Sequence, residues 1–407
     1  MTTDQQQAPT WSPWRAVVGF GVVSLAADMV YEGARSITGP LLASLGASAV
    51  LVGLVTGAGE TAALVLRLVF GSLADRTRHY WGLTLIGYAL TAICVPLLAV
   101  TPFVGGAGLA LACTLVIAER TGKAIRSPSK STLLAHAAAP IGLGRGLGVH
   151  KALDQVGAFA GPLLVAGLIA ATAAIWPALA FLAVPGAVAI GLLLWLRGRL
   201  GEPVIKTSEP VRVVRGRRSR IPLPARFYWF AAAAGATTAG LVTFGIISFH
   251  LVREQVVATP AVPVIYAAAM ATEAVAALAT GWAFDHVHGR VLLLLPLLVA
   301  AVPALAFSNH LTTALIGILV WGAAGGIQDS TVKALVAQLV APDRRATAYG
   351  VFAAIQGAAA LLGGGLAGAL YSRSIPALIA VIAATQVVAL ALLMITLRRS
   401  DRPNRAS

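Results

Sequence analysis

Long apolar runs separated by short charged or Pro/Gly-rich breaks repeat along the whole chain. A helix needs about 20 apolar residues to cross a hydrocarbon layer, and the breaks predict twelve such helices. The first six cover 14–37, 49–73, 82–101, 106–126, 148–171 and 176–197. The second six cover 227–249, 261–284, 290–307, 312–335, 347–370 and 375–397. Hydrocarbon offers no water to backbone N–H and C=O groups, so spans that satisfy themselves internally are read as helices. The expected fold class is all-α integral membrane, in two pseudo-symmetric six-helix bundles. Residues 1–197 form the first bundle, 198–226 a basic linker, and 227–407 the second bundle with a short basic tail.

Basic residues fall on alternate breaks. One set holds Arg76 and Arg78; Arg126, Lys130 and Arg145; the stretch from Arg197 to Arg226; Arg290; Arg344 and Arg345; and the tail from Arg398 to Arg405. The other set holds only Arg253 and Arg373. The positive-inside rule then places both termini and the linker in the cytoplasm, in a bacterial-type inner membrane. Trp14, Trp81, Trp195, Trp229 and Trp282 all lie near the basic ends, where amphipathic rings are expected to anchor at the lipid interface. The polar tail with Gln5, Gln6 and Gln7 lacks a basic signal-type region, so the first helix is expected to be retained.

Composition changes the picture in two ways. The chain is 58 % hydrophobic and 11 % charged, against about 25 % charged in soluble domains, which excludes a soluble enzyme. The net charge of +15 comes from residues between apolar runs, so it points to lipid headgroups and not to nucleic acid. Cys94 and Cys113 lie inside apolar runs without metal-ligand spacing, and His286 and His288 read as solvated loop residues. No Walker A sequence, nucleotide loop or Ser/His/Asp order occurs, so no cofactor, metal or catalytic residue is expected.

The two halves repeat in sequence. Gly71-Ser-Leu-Ala-Asp75 recurs as Gly281-Trp-Ala-Phe-Asp285, and the same offset carries Glu119 onto Asp329 and Lys123 onto Lys333. Further on, Gly148 to Asp154 overlays Gly350 to Gln356. Parallel repeats of this kind hold substrate at their interface near the bilayer midplane. Gly71-Ser72-Leu73-Ala74-Asp75-Arg76 resembles the loop signature of the major facilitator superfamily, with a weaker echo at Gly281, Asp285 and Arg290. The match stops at Arg78, His79 and Tyr80, where the family has Gly, Arg and Lys. The resemblance implies twelve helices that transport by alternating access. It also implies a latch that steadies the outward-facing state, with Asp75 near Arg345 to Gly350 and Asp285 near Arg145 to Gly148. The competing reading is a positive-inside turn with an incidental carboxylate. Gly157-x-x-x-Gly161-Pro162 is similar to the core of the superfamily's antiporter signature, although small-xxx-small spacing, seen again at Gly364 and Gly368, is also a general packing device.

Ionisable residues at mid-span cost about 2.5–3.5 kcal/mol to insert and are functional candidates by default. Asp28, Glu32 and Arg35 share one face of the first helix; Glu60 and Arg67 lie on the second and Glu273 on the eighth. These acids are the candidate proton carriers of a central cavity, led by Glu32 and Asp28, with Arg35 as the alternative neutraliser of Glu32. A second cluster toward the basic side holds Glu119, Arg120, Lys123, Lys151 and Asp154. Glu119 with Lys123, and Asp329 with Lys333, are expected as repeated i, i+4 gate pairs. Arg120 with Asp154 is a candidate coupling pair, because the second half has Ser330 and Gln356 there. The expected function is proton-coupled efflux of an amphiphilic or cationic small molecule by a monomer. The alternatives are a proton-coupled importer and a transporter-like sensor that moves nothing.

Overall fold

A computed structural model of the chain describes residues 11–201, 223–340 and 344–398. The linker reading at 202–222 and the basic tail from Arg399 lie outside the described residues, as do the side chains of Asp285 and Lys333. The first half comprises α1 (Pro13–Ser44), α2 (Ala49–Thr77), α3 (Tyr80–Leu97), α4 (Gly108–Ala138), α5 (Leu143–Thr172), α6 (Ile175–Phe181) and α7 (Ala183–Leu200). The second comprises α8 (Ala225–Gly240), α9 (Phe244–Arg253), α10 (Ala261–Val287), α11 (Leu294–Ala306), α12 (Leu311–Leu339), α13 (Arg345–Arg373) and α14 (Ile375–Arg398). No strand occurs among the described residues.

α6 with α7, and α8 with α9, each make one crossing, so the elements amount to twelve spans. Eleven are long and apolar enough to cross a membrane on composition alone. α4 is the other long helix, and it carries Glu119, Arg120, Lys123, Arg126 and Lys130. Its predicted end at 126 was set by that charge run, yet the helix continues to Ala138. The charges there are held by partners on neighbouring helices, so they do not mark an exit to solvent. The α8–α9 break at 241–243 is used as a structural joint: the freed Val242 carbonyl accepts a hydrogen bond from Trp321 Nε1 at 2.7 Å.

An even number of crossings puts the start of α1 and the end of α14 on one face, here called proximal; the opposite face is distal. Within the first half α1 lies against α5. A β-carbon at Gly157 would strike the Leu25 carbonyl, and one at Gly161 the Met29 carbonyl. The glycine spacing therefore sets the distance between two backbones. Trp14, Trp195, Trp229 and Trp282 are each 40 % exposed or more, as interface anchors would be. Trp81 departs from the expectation. It is buried, stacks on Phe20 with ring centroids 5.6 Å apart, and donates from Nε1 to the Gly201 carbonyl at 2.9 Å. Its polar tip has a backbone partner, so it needs no headgroup. Trp81→Phe removes that bond and part of the packing, and should cost about 1–2 kcal/mol, read as a lower melting temperature in detergent.

The halves meet tightly at the distal side. Gly39 on α1 abuts the backbone of Gly245 and Phe249 on α9. Gly53 on α2 and Gly364 on α13 sit so close that a β-carbon on either would strike the other's carbonyl, and Gly368 meets the Ala49 carbonyl in the same way. Thr56 Oγ1 and Thr243 Oγ1 bridge the halves at 2.8 Å. Toward the proximal side exposed Asp329 of α12 and Lys151 of α5, whose side chain is 67 % exposed, interact electrostatically across the halves. Their exposure marks a cleft between the bundles on the α5 and α12 side, while α2 and α13 stay in contact down to Leu68 and Gly350.

Candidate functional site

At mid-depth the charges anticipated on separate helices form one network. Glu32 is 12 residues from the distal end of α1, or about 18 Å at 1.5 Å per residue. It accepts a hydrogen bond from Tyr266 Oη of α10 at 2.5 Å and lies 3.8 Å from Arg35. Arg35 Nη2 donates to Glu60 Oε1 at 3.1 Å, and Arg120 Nη1 lies 3.6 Å from the same oxygen. Arg120 Nε is 3.8 Å from Glu119, which also accepts from Thr91 Oγ1 at 3.2 Å. Arg126 Nη1 donates to that threonine at 2.5 Å and lies over the Tyr88 ring. Four helices of one half thus share a run of alternating charges, and one tyrosine joins it to the other half.

Tyr31 organises the cationic side. Arg120 lies 4.6 Å and Lys123 3.7 Å from its ring centroid. Cation–π attraction strengthens when water is excluded, and Tyr31 is buried. Between Tyr31, Ala34, Arg35, Thr38, Glu119 and Arg120 a cavity of about 20 Å³ remains, room for one water. Arg120 Nη1 is buried there without a hydrogen-bond acceptor.

The expected pairings are redistributed. Glu119 and Lys123 do not form their i, i+4 pair among the described residues: Glu119 turns to Arg120 and Thr91, and Lys123 to Tyr31. Arg120 does not meet Asp154. Asp154 receives Lys151 Nζ at 2.7 Å and faces the Asp28 carboxyl within hydrogen-bonding reach. Lys130 Nζ, in electrostatic range of both acids, donates to Ser24 Oγ at 2.9 Å. Gln356, the counterpart of Asp154, donates to Thr238 Oγ1 at 3.4 Å, and Gln328 to the same oxygen at 3.5 Å. Glu273 of α10 lies beside Gly325, where a β-carbon would come 3.3 Å from its Oε2. It interacts electrostatically with Arg35 and Lys151 of the other half. Arg67 reaches Asp329 and Glu60 in the same way, and its Nε has no hydrogen-bond partner.

At the loop signature Gly71 rests against Pro128, 3.7 Å from where its β-carbon would be, while Asp75 and Arg76 are exposed. Asp75 forms no ion pair among the described residues. Arg78 ends α2 in the left-handed region, φ 56°. The family has glycine at this position because a β-carbon is strained there. Gly281 has open space around it, and the Asp285 side chain is not described. Pro162 is buried with Gly157 and Gly161 in the α1–α5 contact. Sequence reading missed Tyr31, Tyr266, Thr91 and the Thr56–Thr243 bridge. The available signal was a tyrosine deep inside an apolar span, next to Glu32 in one case.

Comparison with known proteins agrees with this architecture. The profile of the Major Facilitator Superfamily matches residues 20–257 and 258–407. An uncharacterised protein of Mycobacterium tuberculosis is 52 % identical over 389 residues, covering 95 % of this chain and 93 % of its own. A mutant of the nucleoside transporter NupG superposes with a TM-score of 0.76 at 14 % identity, covering 94 % of this chain and 99 % of that one. A bacterial homologue of the lysosomal transporter Spinster, inward-facing and unoccupied, gives 0.69 at 16 % identity, with 97 % and 100 % covered. With twelve crossings in two bundles, a charged centre and a profile that spans both halves, this multi-pass membrane protein belongs to the major facilitator superfamily of transporters.

Proposed function

We propose that the chain is a proton-coupled secondary transporter that exports a small molecule bearing a cationic group, in exchange for protons. Support for proton carriage comes from the Asp28–Asp154 carboxyl pair on the wall of the cleft. In this reading the pair carries the transported proton, and Lys151 and Lys130 stand beside it. Glu32 and Glu60 are bound to tyrosine and arginine, so they are assigned to holding the halves and the site. In this reading 1–197 and 227–407 rock as bundles about the site, joined by 198–226. The proximal face, where the basic residues gather, is the cytoplasmic side of the inner membrane, and the structure corresponds to the inward-open state. The exposed Asp75, without an ion pair among the described residues, suits that assignment, since its latch belongs to the outward-facing state.

The test uses proteoliposomes with an imposed pH gradient and pools of cationic, zwitterionic, neutral and anionic compounds. Compound-triggered proton movement in the direction opposite to the compound is expected. Asp28→Asn should abolish that proton movement, at least tenfold below the parent, while energy-independent exchange of the compound continues. Movement of proton and compound in one direction would make the protein an importer. An Asp28→Asn protein with undiminished proton flux would remove the carboxyl pair from the mechanism.

A further inference from the structure

The charges around the cleft are divided between the halves. Every described ion pair lies within the first half, and contacts across the halves there use neutral donors: Tyr266 to Glu32, and Thr61 to the Gly357 carbonyl. Basic side chains away from span ends belong to the first half, at Arg35, Arg67, Arg120, Lys123, Arg126, Lys130 and Lys151. The exception in sequence is Lys333, whose side chain is not described. From the second half the described charged groups facing them are Glu273 and Asp329.

Partnering sharpens the division. Arg35 is bound to Glu60, and Lys151 to Asp154. On the first-half side, Arg67, Lys123, Arg126 and Lys130 have no carboxylate within 4 Å among the described residues; Arg126 and Lys130 donate to Thr91 and Ser24, while Arg67 keeps an unused buried Nε and Lys123 is covered by the Tyr31 ring. Deeper in, Arg120 Nη1 lacks a hydrogen-bond acceptor but is held 3.6 Å from Glu60. Opposite them Glu273 and Asp329 have no cation within 4 Å among the described residues, yet interact electrostatically with Arg35, Arg67 and Lys151. Gly325 leaves the room that the Glu273 carboxylate occupies. Charges of opposite sign thus face each other across the halves without an ion pair among the described residues.

Building on the transport reading above, we propose that the substrate is a small zwitterion spanning the cleft. Its anionic group lies toward Arg67 and Lys123, and its cationic group toward Glu273 and Asp329. A molecule with one charge satisfies one wall and leaves the other desolvated and unmatched. A zwitterion satisfies both and draws the bundles together, which is the differential contact that alternating access requires. Each charge-assisted contact is expected to contribute roughly tenfold in affinity.

The experiment measures counterflow exchange in proteoliposomes without a pH gradient, so that it does not depend on proton coupling. Two matched series are used. One is 5-aminopentanoate with pentanoate, pentylamine and pentanamide; the other is dialanine with its N-acetyl, C-amide and doubly blocked forms. Each is tested as a competitor of a zwitterionic amino-acid pool. At least one zwitterion should compete about tenfold or more better than every blocked relative. Glu273→Gln should remove its advantage over the form lacking the amine, and Arg67→Gln its advantage over the form lacking the carboxylate. Equal competition by a singly charged or neutral relative overturns the proposal, as does silence across all four charge classes, because recognition is tied to charge pattern and not to scaffold. A zwitterion that exchanges without moving protons upholds this proposal and overturns proton coupling. A singly charged compound that moves protons does the reverse.

Discussion

Gly364→Leu should reduce transport roughly 100-fold while leaving the protein folded in the membrane. Gly364 on α13 meets Gly53 on α2 backbone to backbone on the distal side, between halves and not within one. A leucine there has no side chain to displace, only a carbonyl, so the halves must separate. Overpacking of this kind costs about 3 kcal/mol, which shifts a two-state equilibrium by about two orders of magnitude. The shift favours the arrangement with the distal seam apart. In a background with Cys94 and Cys113 replaced, Thr243→Cys should react faster with an impermeant thiol reagent when Gly364→Leu is present. Unchanged labelling with lost transport would mean that the seam does not open at this point. Gly161→Leu supplies the contrast. It overlaps the Met29 carbonyl inside the first bundle, so it should lower yield and melting temperature without raising distal reactivity.

Glu60→Gln is the second large effect expected. One carboxylate oxygen of Glu60 serves both Arg35, at 3.1 Å, and Arg120, at 3.6 Å. Removing its charge leaves two guanidinium groups around a neutral amide, with Arg120 buried. Loss of one partner from a buried ionic network costs about 3 kcal/mol, most of it from the charge left unmatched. The melting temperature should fall, and transport should be lost because Arg35 no longer holds its place between Glu32 and Glu60. The double variant Glu60→Gln with Arg120→Gln removes charge from both sides. It should recover part of the stability, with a coupling of about 1–3 kcal/mol in the cycle. Additive losses in the double variant would show that the two groups act independently.

Much of the architecture could be read from the chain. Twelve apolar runs are a direct record of hydrocarbon thickness, and short breaks leave little freedom in where the helices end. The reading failed where a polar run did not leave the membrane. Residues 127–138 continue α4 because Lys130 finds Ser24 and Pro128 packs near Gly71, contacts that no local pattern announces. Trp81 failed for a related reason: an indole near a span end looks the same whether a headgroup or the Gly201 carbonyl takes its N–H.

For the site, the sequence supplied the acids and bases but not their partners. Glu119 and Lys123 share a helical face, yet the α3–α4 crossing brings Thr91 to the first and the packing of α1 brings Tyr31 to the second. Asp28 and Asp154 are on different helices, and only the close α1–α5 approach set by Gly157 and Gly161 lets their carboxyls face each other. Tyrosines carry no charge and blend into an apolar run, so Tyr266, which joins the halves at Glu32, left no mark in the charge pattern.

The α2–α13 seam behaves as a mechanical bearing. Side chains that interlock must climb out of one another when two bodies roll, and each disengagement raises the barrier. Here Gly53, Gly57, Gly364 and Gly368 meet the opposite strand of backbone with almost nothing to disengage. At these four positions the surface is smooth on the scale of a methyl group. Because Glu273, Tyr31 and Tyr266 lie on other helices, mutations there that retune what is carried leave those glycine contacts untouched, so cargo and machinery are free to evolve separately.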